Sequence, residues 1–252
     1  MKDELLVINT LVFLEQMQLG ILQQELLKEI HKVGVSNAEI RREFIVDFES
    51  ELNEIKKKSK EFNINLFYSV PDLLYKNGIL QSESIENYFK EAFSMNCTNL
   101  KMNIGEVETI NEADIQVLNT LCDQYLIKLT VENDQTPEGG KVDKIKRFMD
   151  EVTKIGSNVS VTFDIGNWVW QGEDPVTNAS LLKEYVSYIH LKDVLGNKPP
   201  KLVLLSEGDV DWENTLAILP KNIPLALEYP CGTDAVAQLT KEIAILKERY
   251  SF

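Results

Sequence analysis

Short apolar runs recur along the chain, and each is followed by a longer stretch whose apolar positions fall three and four residues apart. The short runs predict strands at LLVINTLVF (5–13), AEIRREF (38–44), NINLFYSV (63–70), TNLKMNIG (98–105), LIKLTVE (126–132), VSVTFD (159–164), SYIHLKD (187–193) and IPLALEY (223–229). The longer stretches, among them LQQELLKEIHKVG, SIENYFKEAFSMN, NEADIQVLNTLCDQY and KVDKIKRFMDEVTKIG, carry the helical period. Gly34 and Gly156 each follow such a stretch, where a left-handed cap favours glycine. Pro137, Gly139 and Gly140 mark the loop after the fifth strand, and Pro175 marks the loop after the sixth.

Eight strand–helix units in 252 residues predict an α/β fold, a (β/α)8 TIM barrel forming a single domain over residues 1–252. A doubly wound sheet is the competing arrangement, but no glycine-rich phosphate loop follows the first strand. The segment KPPKLVLLSEGDVDWEN (198–214) is longer than a minimal loop and is expected near the barrel mouth.

Composition narrows the classes of function. A net charge of −14 offers no basic footprint for phosphates, so DNA and RNA are not expected partners. The run IKKKSK (55–60) lies in an acidic helical stretch and reads as a solvated face. No run of roughly 18 apolar residues appears, so no membrane span is expected. The start MKDELLVINT lacks a basic leader and cleavage site, and three cysteines (Cys97, Cys122, Cys231) show no metal-like spacing. Both features point to reduced thiols in a cytoplasmic protein.

The chemistry lies in how four consecutive strands end. LIKLTVE ends in Glu132, VSVTFD in Asp164, SYIH in His190 and PLALE in Glu228. In a barrel, the C-terminal edge of the strands carries the active site, so these four side chains are expected side by side. Three carboxylates and an imidazole suit one divalent ion, Mn²⁺, Co²⁺, Mg²⁺ or Zn²⁺, and without it the carboxylates repel one another. The bland alternative, four separate turn caps, needs the same coincidence four times. The other histidine, His31, falls in LLKEIHKV and reads as an ordinary helical residue. Two-residue alternation puts Lys192 on the face of His190, where it can meet a substrate oxygen, act as an acid or pair with a mouth carboxylate. Trp168 and Trp170 are expected to divide between a pocket wall and loop packing, and Asp209 and Asp211 are expected to be structural.

The ordered motifs VEN (131–133), FDIGN (163–167), IHLKD (189–193), GDVDW (208–212) and ALEYP (226–230) resemble the sugar isomerases and epimerases of the xylose isomerase-like TIM barrels. AEIRRE (38–43) resembles the family's second strand, with Glu39 at a position where the family usually carries glutamate. The resemblance implies Glu132, Asp164, His190 and Glu228 as ligands of one divalent metal ion, with Glu132 and Glu228 transferring protons on opposite faces of the substrate. Such an ion clamps a carbonyl and its neighbouring hydroxyl and stabilises the enediolate, while a carboxylate removes the adjacent C–H proton. There are departures. Asn167 stands where relatives often have histidine, and VLGNKPP offers no counterpart to an arginine that some epimerases place after the metal histidine. Asn167, Lys192, Glu39, Arg41, Lys101 and Asn103 are therefore the candidates for holding substrate.

The implied activity is isomerisation or epimerisation of a small sugar or ketose, phosphorylated or not. A dehydratase acting on a keto-inositol or dehydroshikimate-like compound is the alternative within the resemblance. A non-catalytic sugar-binding barrel is the alternative outside it, kept open by Asn167. The expected partner is a small sugar or polyol-derived ketone, and the oligomeric state is open, a homo-oligomer being one option because the family often forms dimers or tetramers.

Overall fold

A computed structural model describes residues 3–196 and 199–250. Eight parallel strands close into a barrel: β1 (Leu6–Asn9), β2 (Asn37–Arg41), β3 (Asn65–Lys76), β4 (Cys97–Gly105), β5 (Lys128–Glu132), β6 (Ser160–Asp164), β7 (Val186–Leu191) and β8 (Leu225–Leu227). Each strand pairs with its sequence neighbours, and β1 closes the ring by pairing with both β2 and β8. Helices α1 (Gln23–Lys32), α2 (Phe48–Phe62), α3 (Ser82–Met95), α4 (Glu112–Tyr125), α5 (Val142–Ile155), α6 (Pro175–Leu182), α7 (Trp212–Ile218) and α8 (Ala235–Arg249) follow the strands in turn. The fold is thus the (β/α)8 barrel that the periodicity predicts.

Local chemistry sets the boundaries. Gly156 closes α5 at φ 85°, and Gly34 follows α1 at φ 79°, both in the left-handed region expected of a glycine cap. Asp47, Asp174, Asp211 and Asp234 cap α2, α6, α7 and α8 by accepting backbone N–H groups of the first turn.

The structure corrects several predicted strand extents, the second ending at Arg41 before a 3-10 turn over Arg42–Phe44 and the eighth spanning only Leu225–Leu227. The first strand stops at Asn9, whose side-chain oxygen accepts the Leu11 N–H and turns LVF into a 3-10 turn. The third strand runs on to Lys76 and returns through Asn77 and Gly78, both at positive φ, to pair antiparallel with Ile79–Leu80. The seventh ends at Leu191, and Asp193–Leu195 instead forms a small hairpin with Lys201–Val203. The long connection expected near the mouth thus carries a strand of its own over Lys201–Val203; Lys198, at its start, lies outside the described residues. None of the described helices is long and apolar enough to cross a membrane.

Alternation along each strand creates two interiors. Outward-facing residues such as Ile8, Ile40, Leu100, Leu129, Val161 and Leu227 join the helices in one large apolar core. Inward-facing Val7, Phe67, Tyr188 and Ala226 form a separate small cluster within the barrel. Level with it the barrel is polar: Asn99 pairs with Phe67 in register and Thr162 with Tyr188, Thr162 donates to Thr130 at 2.7 Å, and Asn99 donates to the same oxygen at 3.1 Å.

Candidate metal centre

Glu132, Asp164 and His190 lie at the C-terminal ends of β5, β6 and β7, and Glu228 directly follows β8. Register explains their convergence. Asp164 stands level with His190 and, across the next pair, Ala226 does too, placing Glu228 one inward position further along β8. The four offer ligand atoms that all lie within 4.8 Å of one another, and all four residues are buried.

The donor atoms meet the requirements of a cation. Glu132 Oε1, Asp164 Oδ2, His190 Nδ1 and Glu228 Oε2 are each buried and turned toward one another, with the Lys192 ammonium against Asp164 Oδ2 and Glu228 Oε2. His190 Nδ1 sits 2.7 Å from Glu132 Oε1 and 3.2 Å from Glu228 Oε2, distances between ligands rather than bonds to a common atom. An ion with bonds of about 2.1 Å spans opposite donors roughly 4.2 Å apart, so small adjustments close this set around one ion. Three carboxylates with one imidazole accept several divalent ions, and the residues fit the group.

The surroundings hold each ligand in place. Glu39 Oε2 lies 3.0 Å from His190 Nε2, and Asn9 in turn donates to Glu39 at 2.5 Å. A proton on Nε2 directed at Glu39 leaves the Nδ1 lone pair facing the other ligands, the usual way an outer carboxylate fixes a ligating histidine. Lys101 Nζ holds Glu132 Oε2 at 2.5 Å, and Arg41 Nη1 holds Glu228 Oε1 at 2.5 Å. Arg41 also pairs with Glu43. Lys192 Nζ lies 2.6 Å from both Asp164 Oδ2 and Glu228 Oε2. Three cations thus serve three carboxylates.

These contacts bias the protonation states. Burial pushes Glu132 up, but Lys101 and His190 outweigh it and bring the carboxyl down to about 2. Burial likewise opposes ionisation of Glu228, yet Lys192, His190 and Arg41 hold it well below the carboxylate range. Asp164 is pushed up to about 7, because burial and its carboxylate neighbours outweigh Lys192. Burial disfavours the charged imidazole, but Glu39, Glu228 and Glu132 raise His190 well above its ordinary value. A bound divalent ion opposes that last effect, since it takes the imidazole lone pair.

Asn167 occupies a different position from the other candidates. Its N–H and that of Gly166 both donate to Asp164 Oδ1, at 2.9 and 3.0 Å. Its side-chain NH₂ donates to Asn133 O at 2.8 Å, and its oxygen accepts from Gln135 at 3.0 Å. Both ends of the amide are therefore engaged in tying the β5 and β6 loops together. Asn103 lies on β4, level with Glu132, with an oxygen that has no partner among the described residues. Trp168 is buried against Phe163, whereas Trp170 is half-buried. Asp209 accepts the Gly196 N–H, and Asp211 caps α7.

Three supporting residues escaped the sequence reading. Asn9 braces Glu39 and also reaches Glu228 at 3.2 Å. Asn133 clamps β6 through both backbone groups of Asp164, at 2.8 and 2.9 Å. Asp193, almost fully buried, accepts N–H groups of Val194, Ser206, Gly208 and Val210 and so shapes the connection that follows β7. Their signals were present: Asn9 and Asn133 close strands in polar residues like the ligands do, and Asp193 completes IHLKD.

The profile of the xylose isomerase-like TIM barrel family matches residues 105–249, more than half the chain, and the chain belongs to that family. No curated protein sequence matches it. Among solved structures, a probable 3-DHS dehydratase of Bacillus anthracis superposes with a TM-score of 0.71 at 15% identity, over 97% of this chain and 99% of that one. D-allulose 3-epimerase of Methylomonas sp. gives a TM-score of 0.71 at 14% identity, over 97% and 96%. A xylose isomerase domain protein of Planctomyces limnophilus gives 0.67 at 18%, over 88% and 89%. At such identities the likeness is one of fold.

Proposed function

We propose that this barrel is a divalent-metal-dependent isomerase or epimerase of a small sugar or ketose. The reading rests on one observation: two buried carboxylates, Glu132 and Glu228, flank His190 Nδ1, and each is braced by its own cation. Glu132, Asp164, His190 and Glu228 hold the ion, and epimerases among the structures of like fold support the class of reaction. When bound, the ion supplies Lewis-acid polarisation of a substrate carbonyl.

The remaining work falls to the chain's own groups. Glu132, held ionised by Lys101, takes the proton from the carbon beside the carbonyl. Glu228 serves the opposite face, and the Lys192 ammonium, released from the ligand carboxylates when an ion is held, supplies the proton that ionised Glu228 lacks. Glu39 and Asn9 keep His190 oriented, while Arg41, Lys101 and Lys192 present positive charge to substrate oxygens. Asn167 acts on substrate only through the loop it organises. A cytoplasmic setting and a homo-oligomer belong to the same proposal.

Incubating the protein with Mn²⁺ and a panel of ketoses in deuterium oxide tests the reading. Deuterium appearing at the carbon next to the carbonyl, with no change in formula, is the expected result. Tight sugar binding with no exchange at any carbon would instead favour a non-catalytic barrel.

A dehydratase is the second reading, and Lys192 favours it. Once an ion takes its place on the carboxylates, the buried Lys192 ammonium is free to protonate a departing β-hydroxyl. Product mass separates the two, since dehydration removes one water.

A further inference from the structure

The three cations of the centre are not equivalent. Lys101 holds Glu132 through Oε2 and Arg41 holds Glu228 through Oε1, in each case the oxygen turned away from the ligand cluster. The oxygens turned inward, Glu132 Oε1 and Glu228 Oε2, are those near His190 Nδ1. Both of these cations can therefore keep their partners with an ion bound. Lys192 cannot. Its ammonium lies 2.6 Å from Asp164 Oδ2 and 2.6 Å from Glu228 Oε2, the inward atoms of two ligands. The other Asp164 oxygen is already committed to the N–H groups of Gly166 and Asn167, so Asp164 has only Oδ2 to offer.

The fold is also shaped around the lysine's path. Gly166 has φ −83°, an ordinary value for any residue, so backbone conformation does not demand glycine there. Space does: a Cβ at 166 would lie 2.4 Å from Lys192 Cγ and 3.0 Å from Val194 Cγ2. The glycine of FDIGN leaves room for the aliphatic stem of Lys192, which delivers a buried ammonium to the ligand oxygens.

From this geometry we infer that Lys192 is an internal competitor of the metal ion: its ammonium and a divalent cation claim the same two oxygens, Asp164 Oδ2 and Glu228 Oε2, so ion uptake displaces it. This rests on the four-ligand reading of the site. Ion occupancy then decides whether the ammonium faces the carboxylates or the open mouth, and thereby couples metal loading to the group that meets substrate. Two like charges with one shared site give negative coupling, and such couplings typically lie between about 5-fold and 150-fold in affinity.

Calorimetric titration of the full-length protein with Zn²⁺, wild type against Lys192→Met, tests the idea without recourse to activity. Methionine keeps the apolar stem and removes the charge. Zn²⁺ is expected to bind the variant at least about tenfold more tightly. Wild-type binding with no gain, or a loss, in the variant overturns the inference and leaves the four-ligand reading standing. Absence of Zn²⁺ binding in both proteins overturns both.

Loss of the ammonium leaves buried Asp164 without its cation and Glu228 with Arg41 alone, so the variant risks failing to fold. Wild-type protein with ¹³C-labelled lysine provides the second measurement. On saturation with Zn²⁺ the Lys192 Cε resonance is expected to move, and that of Lys101, whose partner oxygen remains available, to move far less. Equal or absent shifts for both, with Zn²⁺ bound, overturn the inference.

Discussion

The two faces of the same eight strands have been put to opposite uses. Outside, the side chains of the strands meet the helices in a continuous apolar core containing Ile8, Ile40, Leu100, Leu129 and Leu227, all buried. Inside, among the described residues, Val7, Phe67, Tyr188 and Ala226 form only a small apolar cluster beside Asn99, Thr130 and Thr162, and the charged centre lies at the strand ends. A barrel interior is ordinarily filled by layers of bulky branched residues. Here the interior gives up most of that packing and carries ionised groups whose burial opposes folding. The difference teaches where stability and chemistry reside: the outer layer supplies the free energy that lets the inner one remain strained by charge.

Changes to the inner face should therefore damage chemistry more than folding. Glu228→Gln keeps the shape and a hydrogen-bonding oxygen for Arg41 but removes the charge. It is expected to lower turnover by about 10²–10⁴, the usual contribution of a positioned acid or base. Circular dichroism should stay that of the wild type, and metal analysis should show weakened binding. Full turnover in this variant would end the proposed role of Glu228.

The outer face should give the reverse pattern. Leu129 is fully buried between β5 and the helices. Leu129→Ala is expected to cost about 2–5 kcal/mol in urea unfolding, by lost transfer and an incompletely closed cavity. The affinity of the folded protein for a divalent ion should be unchanged. A large shift in that affinity would mean that the two layers are coupled more tightly than their separation suggests.

Between these extremes lies the hydroxyl chain inside the barrel. Thr162→Val removes the donor to Thr130 and leaves that oxygen dependent on Asn99 alone. A cost of about 1–3 kcal/mol is expected, read by the same unfolding experiment, because a buried polar partner loses a bond.

The same division explains what was legible in the sequence. The outer face shows as periodicity, so eight units and their order could be read directly, and Glu132, Asp164, His190 and Glu228 stood out as polar ends to apolar runs. Details set by side-chain-to-backbone bonds were not visible. Asn9 ends β1 by accepting the Leu11 N–H, although LVF continues the apolar run. Tyr75, Lys76, Asn77 and Gly78 extend and reverse β3 beyond the predicted strand, and their Asn-Gly turn was the available signal. At the centre, sequence alternation put Lys192 beside His190 but left its partner open, because the choice between carboxylate and substrate depends on distances across three strands. The role of Asn167 was hidden for the same reason: Asn133 and Gln135 reach it from the neighbouring loop.

The smallest effect is expected furthest from the inner face, at the start of α6. Asp174 caps this helix: its Oδ2 accepts the Thr177 N–H at 2.8 Å and the Thr177 hydroxyl at 2.5 Å, with Pro175 in the first turn. Those bonds, the hydroxyl's first, lower the Asp174 carboxyl below its usual value. A depressed carboxyl contributes stability above its unfolded pKa of about 3.9, and that contribution is lost as pH falls through the folded value. Asp174→Ala should therefore cost about 1 kcal/mol at neutral pH, the ordinary worth of such a cap. The gap between variant and wild type should shrink below about pH 4. Because α6 belongs to the outer layer, ion affinity and turnover should not change. Parallel unfolding curves at pH 7 and pH 3 check the sign: a gap that widens in acid would show that something other than the ionised cap holds this helix.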